Sequence, residues 1–318
     1  MRPAGGLSDV FGIGGAPAVD WTVWLESGAA ALHPGSPVRV LIRLTAREPV
    51  DARRGMAALV GTEEYAYDHE EHSNEGRDVD RRWDKEDVVR QELEILGPGR
   101  IGAGETRDFP LAFSLPGDAP PSHESSVLRM RWKIEAWLDV GGRDPRIEQP
   151  VVVWPSAAAA MAVDPAVLGR RHDVTVDDRT WAIWVDPAPL RIGSPFGGAV
   201  DVMGTLDLSA ARVELKLVVS TLGESGLPGA YLLGKLGVSS SSRRGVSEAR
   251  TLWQGQLGPP TTPAPGVQRS LFAGQVPPGT NITASFPHAT ATAIIDVTLA
   301  RRLRPDQHVT RPVAIAPG

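Results

Sequence analysis

Apolar and polar residues alternate along several segments of this chain, and this period limits its folds more than any other feature. Val38, Val40, Ile42 and Leu44 alternate with residues that include Arg39 and Arg43, and the same period runs through 128–138 and 212–219. A period of two is typical of β-strands that bury one face. No strongly amphipathic helix is available to cover those faces, so we expect an all-β fold with two stacked antiparallel sheets per domain.

The second half of the chain repeats the first in degenerate form, with an offset of about 160 residues. Trp21-Thr22-Val23-Trp24 returns as Trp181-Ala182-Ile183-Trp184, and Phe113-Ser114-Leu115-Pro116 is echoed by the segment 272–277. We therefore expect two tandem immunoglobulin-like β-sandwiches. The expected boundaries are a flexible leader at 1–18, a first sandwich at 19–155, a linker at 156–178 and a second sandwich at 179–318.

The paired tryptophans favour a structural role, because they recur between the halves. Within each pair the residues are three positions apart, which places them on opposite faces of a strand. We expect one tryptophan of each pair to cover the sandwich from outside.

Composition narrows the function classes. The 318 residues include no cysteine, which excludes disulfides, thiolate catalysis and Cys-ligated metals. A net charge of −5 argues against a general nucleic-acid binder. The chain has no signal-peptide core and no apolar run near the ~20 residues of a membrane-spanning helix. We expect a cytoplasmic protein without an integral membrane segment, reaching a membrane only through a partner.

Two polar segments stand out from the strand pattern. Tyr67–Val88 is dense in both signs of charge, and Gly234–Arg250 contains a run of serines followed by Arg243 and Arg244. Both are expected to be solvated, mobile loops. The first is the candidate partner site, since Trp and Arg dominate interface hot spots. Its candidate residues are Arg77, Arg81, Arg82, Trp83 and Lys85. The alternative is that Trp83 folds back onto its own domain.

The same segment carries the best metal candidate, His69-Glu70-Glu71-His72. Two imidazoles beside carboxylates can chelate zinc, but an i, i+3 pair in a flexible loop is not a preorganised site. The alternative is that this segment is a solvated acidic loop that binds no metal. The sequence also lacks a Gly-x-Ser-x-Gly elbow, and the glycine-rich segment 11–15 precedes a strand and not a helix. We predict no catalytic residues and no cofactor.

Turn and strand motifs resemble those of the arrestin clan, which includes arrestins, α-arrestins, the retromer cargo-adaptor subunit and bacterial sporulation-control proteins. Leu32–Val40 is similar to the clan's Pro-Gly turn and strand, and Ala57–Glu63 to its strand ending in Gly-x-Glu. Ile101–Pro116, followed by Ala119–Ser122 and the strand 131–136, resembles its next motif, with Trp132 in place of the usual tyrosine. The resemblance covers about Val19 to Ile315 and implies two sandwiches that gather partners without catalysis.

We therefore expect a non-catalytic adaptor that binds protein partners, of bacterial origin and of the sporulation-control type. Binding would use the Tyr67–Val88 loop, strand edges or an interdomain groove. An alternative is a metal-dependent enzyme with a His/carboxylate site in the 68–87 loop or the groove. A third is a carbohydrate-binding sandwich module.

Overall fold

The computed structural model describes residues 19–25, 31–73, 76–155, 170–223, 240–299 and 306–317. Those residues form several antiparallel β-sheets, one short parallel pair of strands and no helix, which confirms the all-β prediction. The chain divides into two compact units. Unit 1 contains residues 1–64, 85–122 and 129–156, and unit 2 contains residues 65–84, 123–128 and 157–318.

Residues 19–151 supply the first nine strands. They are β1 (Val19–Leu25), β2 (Pro37–Ala46), β3 (Val50–Ser73), β4 (Gly76–Leu96), β5 (Gly99–Ile101), β6 (Thr106–Ser114), β7 (His123–Glu124), β8 (Leu128–Val140) and β9 (Arg146–Val151). In unit 1, β1, β2 and β6 form one sheet in that order. In the other sheet β3 pairs with β4, β5 and β8, and β9 pairs with β8.

The two sheets of unit 1 bury one apolar core between them. Its buried members come from both sheets: Val19, Leu44, Ala46, Val50, Ala52, Ile101 and Leu138, with Trp21 packed against them. One position on β3 lies so close to the Trp132 ring of β8 that only glycine fits there. A Cβ on Gly61 would lie 2.8 Å from the Trp132 ring. The alternation seen in the sequence therefore produces a sandwich, as expected.

Residues 171–316 supply the other thirteen strands described. They are β10 (Arg171–Val176), β11 (Arg179–Asp186), β12 (Leu190–Arg191), β13 (Pro195–Met203), β14 (Arg212–Thr221), β15 (Ser240–Gly245), β16 (Ser247–Gln256), β17 (Thr261–Ala264), β18 (Val267–Gln275), β19 (Ala284–Ser285), β20 (Ala289–Leu299), β21 (Gln307–Val313) and β22 (Ile315–Ala316). One sheet of unit 2 has the order β10-β11-β13-β18-β17, and the other has β16-β14-β20-β19 with β21 also paired to β20. β12 and β22 form a short parallel pair.

An aromatic cluster links the two sheets of unit 2. The Trp253 ring on β16 meets Phe196 of β13 edge-on at 5.2 Å and lies 6.4 Å from the ring of Phe272 on β18. Gly274 leaves the space that this indole needs, because a Cβ there would lie 2.5 Å from the ring. Unit 2 is thus also a sandwich with its own core.

The largest departure from expectation is the segment Tyr67–Val88, which is not a loop. Apart from residues 74 and 75, which lie outside the described ranges, it belongs to the long strands β3 and β4. The charges obscure the strand pattern because both faces of β4 are exposed from Asp78 to Trp83, so no apolar stripe marks the period.

The serine-rich segment also differs from its prediction as a solvated loop. Ser240–Gly245 forms β15, which pairs antiparallel with Tyr67–His72 of β3, both within unit 2. Main-chain hydrogen bonds make this ladder, and polar side chains are no obstacle to them. The predicted linker contains a strand as well, since β10 pairs along its length with β11.

Within the described ranges, no helix has the length and apolarity needed to cross a membrane.

Candidate partner-binding surface

The charged hairpin, which we define as residues 67–88 of β3 and β4, contains all five candidate residues on β4. Side-chain contacts across the strands fix its alignment: Arg81 Nε lies 3.1 Å from Asp68 Oδ1, and Lys85 Nζ lies 3.5 Å from Glu64 Oε1. In each pair the two residue numbers have the same sum, as expected for positions directly opposite each other in an antiparallel hairpin. The candidate side chains are therefore presented on an ordered strand.

Strand alternation separates the candidate residues into two faces. Arg81, Trp83 and Lys85 lie on one face of β4, while Arg82 lies on the other and pairs with Asp80 at 3.1 Å. Trp83 has 41% of its surface exposed. The backbone of Arg77 lies in β4, and its side chain is outside the described part of the chain.

β15 supports the opposite edge of the hairpin through two arginines. Arg243 donates from Nη1 to Asp84 Oδ2 at 2.8 Å, and its guanidinium lies 4.7 Å from the centre of the Tyr67 ring. Arg244 lies 3.9 Å from the carboxylate of Glu70. Both arginines come from the segment that the sequence marked only as polar, so composition gave no sign of this support.

Unit 1 carries a further charged cluster centred on Glu64. Its carboxylate is within 3.5 Å of Lys85, 3.7 Å of Arg129 and 3.8 Å of Arg131. The two arginines lie on β8, so their side chains reach Glu64 from the neighbouring strand. The sequence did not indicate this cluster, because Glu64 and the arginines are far apart along the chain.

The outer edge of β4 has no strand partner among the described residues, where β4 pairs with β3 alone. An edge strand presents main-chain N–H and C=O groups that can accept another strand. β4 spans Gly76–Leu96, so this edge is long.

The structure brings no three His, Asp or Glu side chains together as metal ligands among the residues it describes. His69 lies in β3, paired in register with Arg243 of β15. The side chain of His72 falls outside the described residues, so the structure does not test whether this pair binds a metal.

Two lysine–carboxylate clusters were missed by the sequence analysis. In unit 1, Lys133 Nζ lies 2.6 Å from Glu135 and 2.9 Å from Glu148. In unit 2, Lys216 Nζ lies 2.6 Å from Asp296 and 2.7 Å from Glu214. Burial alone lowers the pKa of each lysine, but the hydrogen bonds that the ammonium donates to the carboxylates outweigh it and raise the pKa. Both ammonium groups are therefore held charged, which suits a structural ion pair better than a proton-transfer role.

The sequence analysis also missed a buried arginine on β21. Arg311 is 1% exposed and donates from Nη1 to the carbonyl oxygens of Arg170 and Ile183, both at 2.8 Å. Burial lowers its pKa to about 10, which leaves the guanidinium charged at neutral pH. Its neighbours on β21 alternate in burial, so an arginine at this position looks like any other strand residue in the sequence.

No protein-family model matches this chain, and no curated protein matches it.

Proposed function

We propose that this protein is a non-catalytic, arrestin-like adaptor of bacterial, sporulation-control type, and that it binds a protein partner through the charged hairpin. Two β-sandwich units and the turn motifs of the first half support the arrestin-like assignment. The observation that carries the binding role is Trp83, which is 41% exposed on an ordered strand among charged residues.

The hairpin suits a partner because its side chains are positioned before binding. Arg81 and Lys85 flank Trp83 on one face, and each is oriented by a carboxylate on the neighbouring strand. Immobilising a long side chain costs about 0.5–1.5 kcal/mol when a complex forms. Preorganisation reduces that cost, so an ordered hairpin is a better interface than the mobile loop expected from the sequence.

The chemistry of this face selects a partner with an apolar side chain beside acidic ones. Tryptophan offers a large amphipathic surface, and arginine and lysine attract carboxylates. Exposed charges are screened by salt, with a Debye length of about 10 Å at 0.1 M ionic strength. Binding should therefore weaken as the salt concentration rises.

Affinity capture from native cell lysate tests this function, using the intact chain, Trp83→Ala and Trp154→Ala. Trp154 is a matched control because it is 48% exposed and lies outside the hairpin. We expect the intact chain and Trp154→Ala to retain the same partner and Trp83→Ala to lose it. Titration of the identified partner should show an affinity about 30-fold weaker for Trp83→Ala, as for an interface hot spot.

Equal affinity of Trp83→Ala and the intact chain would contradict the proposed site, as would binding that does not change with salt. Thermal unfolding of both variants shows whether each is folded, so a loss of binding can be assigned to the side chain.

A further inference from the structure

An exposed proline-rich segment lies at one edge of unit 2. Residues 259–265 read Pro-Pro-Thr-Thr-Pro-Ala-Pro, and every one of them is exposed to solvent. We define these residues as the proline ridge. It contains β17, which stands at the end of the sheet order β10-β11-β13-β18-β17. Prolines are common in surface turns, so the conformation of the ridge decides whether it has a role of its own.

The ridge is attached to β18 at every third residue. The residues that make these contacts are Gly258, which donates its backbone N–H at 2.7 Å, Thr261 and Ala264. Their partners on β18 are only two residues apart: Leu271, Arg269 and Val267. A period of two is that of a β-strand, and a period of three is that of a polyproline II helix. The ridge uses three residues for every two of β18, so it bows away from the sheet between contacts.

The sequence itself holds the ridge in an extended conformation. Each proline ring fixes its own φ at about −65°, and the residue before a proline is restricted to extended backbone. Four of the seven ridge residues are prolines, so nearly every position is restricted in one of these two ways. Pro265 and Gly266, whose φ is +75°, then form the turn that leads into β18. The ridge is therefore ordered before any partner binds.

Protection of the sheet edge is the simplest role for such prolines, because a residue without an N–H cannot pair with an added strand. Unit 1 shows that the sandwich does not need a cluster of them. Its corresponding connection leads into β6 and also has a glycine with a φ of +75°, Gly104. Residues 96–104 of that connection contain a single proline, whereas residues 258–266 contain four. The additional rings call for a role beyond edge protection.

We propose that the proline ridge docks in a groove lined by aromatic side chains on a partner protein. Pro260 and Pro263 are three residues apart, so a period of three places both rings on the same side, as in a P-x-x-P ligand. Aromatic-lined grooves bind such ligands, and a backbone that is already extended loses little conformational entropy on binding. This surface goes beyond the proposed adaptor site, because no ridge residue belongs to the charged hairpin.

Affinity capture from native cell lysate with the full chain, in the absence and presence of an excess of a synthetic peptide, tests this surface. The peptide has the sequence of residues 257–266, which contains no aromatic residue. We expect a protein that the intact chain retains, that the peptide displaces and that the double variant Pro260→Ala/Pro263→Ala fails to retain. Pro195→Ala is the matched control, because Pro195 is also exposed in unit 2 and lies outside the ridge.

Fluorescence titration of the captured protein then tests the chemistry of its groove. Because the peptide has no aromatic side chain, a change in tryptophan or tyrosine emission when it is added reports contact with aromatic residues of the partner. We expect that change. The double variant should bind at least about tenfold more weakly than the intact chain, because alanine lacks both the ring and its fixed backbone. Thermal unfolding of both variants shows whether each is folded.

Three results would overturn the proposal: no captured protein that the peptide displaces, equal affinity of the double variant and the intact chain, or a partner whose emission the peptide leaves unchanged. Self-association of the double variant in sedimentation, with its partner binding unchanged, would assign the prolines to edge protection alone. Trp83→Ala keeps the ridge and the double variant keeps the charged hairpin. Failure of either proposal therefore leaves the other standing.

Discussion

The outer sheet faces of the two units carry the same three-strand arrangement with its charges exchanged. In unit 1, Arg43 of β2 binds Asp108 of β6 through two hydrogen bonds of 2.6 and 2.7 Å and lies 5.2 Å from the Trp24 ring. In unit 2 the carboxylate is on the middle strand: Asp201 of β13 accepts two hydrogen bonds of 2.6 and 2.7 Å from Arg269 of β18. Arg269 in turn lies 5.6 Å from the Trp184 ring.

The registers show that these are corresponding positions. Arg43 lies opposite Thr22 on one side and Asp108 on the other, and Asp201 lies between Ala182 and Arg269 in the same way. What the arrangement requires is opposite charge at two neighbouring positions beside an outer tryptophan. An antiparallel ladder holds both positions at the same distance, so either strand can carry the arginine.

The two arrangements differ in burial as well as polarity. The side chain of Asp108 is 43% exposed and that of Asp201 is 13% exposed. Asp201 also accepts a hydrogen bond from Trp184 Nε1 at 3.0 Å. Burial by itself raises the pKa of Asp201, but the hydrogen bonds from Arg269 and Trp184 outweigh it and lower the pKa below its usual value. The hydrogen bond from Arg43 lowers the pKa of Asp108 with little burial to oppose it.

The largest expected effect is the loss of stability when a tryptophan that faces the core is replaced, compared with the loss when one on the outer face is replaced. Trp181 is fully buried, and Trp181→Ala should lower the free energy of unfolding by about 3–5 kcal/mol. Trp21→Ala should cost less, because Trp21 is only partly buried in its core. Urea denaturation measures both. A loss from the outer variant Trp184→Ala as large as that from Trp181→Ala would show that the inward and outward positions are not distinct.

The next largest expected effect is a pH dependence of stability caused by His123 on β7. The corresponding short strand β19 has no histidine at the matching position. β7 carries His123, 5% exposed, where β19 carries Ala284, 4% exposed. Burial lowers the pKa of His123 to about 4, against the opposing influence of Glu248 and Glu124. Its stabilising contribution is complete above the unfolded pKa of about 6.5 and declines as the pH falls toward the folded value.

Unfolding free energies measured from pH 7 to pH 4 should therefore decline by about 2–4 kcal/mol through this group. In His123→Ala that part of the decline should disappear, which would make β7 resemble β19. An unchanged pH profile in the variant would show that the decline comes from other groups.

The smallest expected effect is the difference in stability lost when the Arg269–Asp201 pair or the Arg43–Asp108 pair is broken. Asp201→Asn should destabilise the protein by about 1–2 kcal/mol, since a partly buried arginine loses a charged acceptor. Asp108→Asn should cost less, because its exposed pair is screened by solvent. Parallel urea titrations at pH 7 test the difference. Equal losses would mean that burial does not set the strength of these pairs.

The sequence predicted the all-β class correctly, and it predicted that one tryptophan of each pair lies on an outer face, because both follow from a period of two. Trp181 is buried, and Trp184 lies on the outer face beside Arg171 at 5.1 Å. It did not predict that the charged segment 67–88 forms strands, since a strand exposed on both faces has no apolar stripe. The exchanged ion pair was also missed, because a residue-by-residue comparison of the halves reads Arg43 and Asp201 as a mismatch.

What the sequence by itself determined is the alternation of buried and exposed side chains along the half-buried strands, and that is enough to indicate an all-β fold built from sandwiches. Strand pairing across long separations was decided only by the tertiary structure: β15 joins β3, and the cations of β8 gather at Glu64. The physical reason is that ladder hydrogen bonds come from the main chain, which every non-proline residue shares. The alternation of side chains records which face is buried, but it does not record which strand lies alongside.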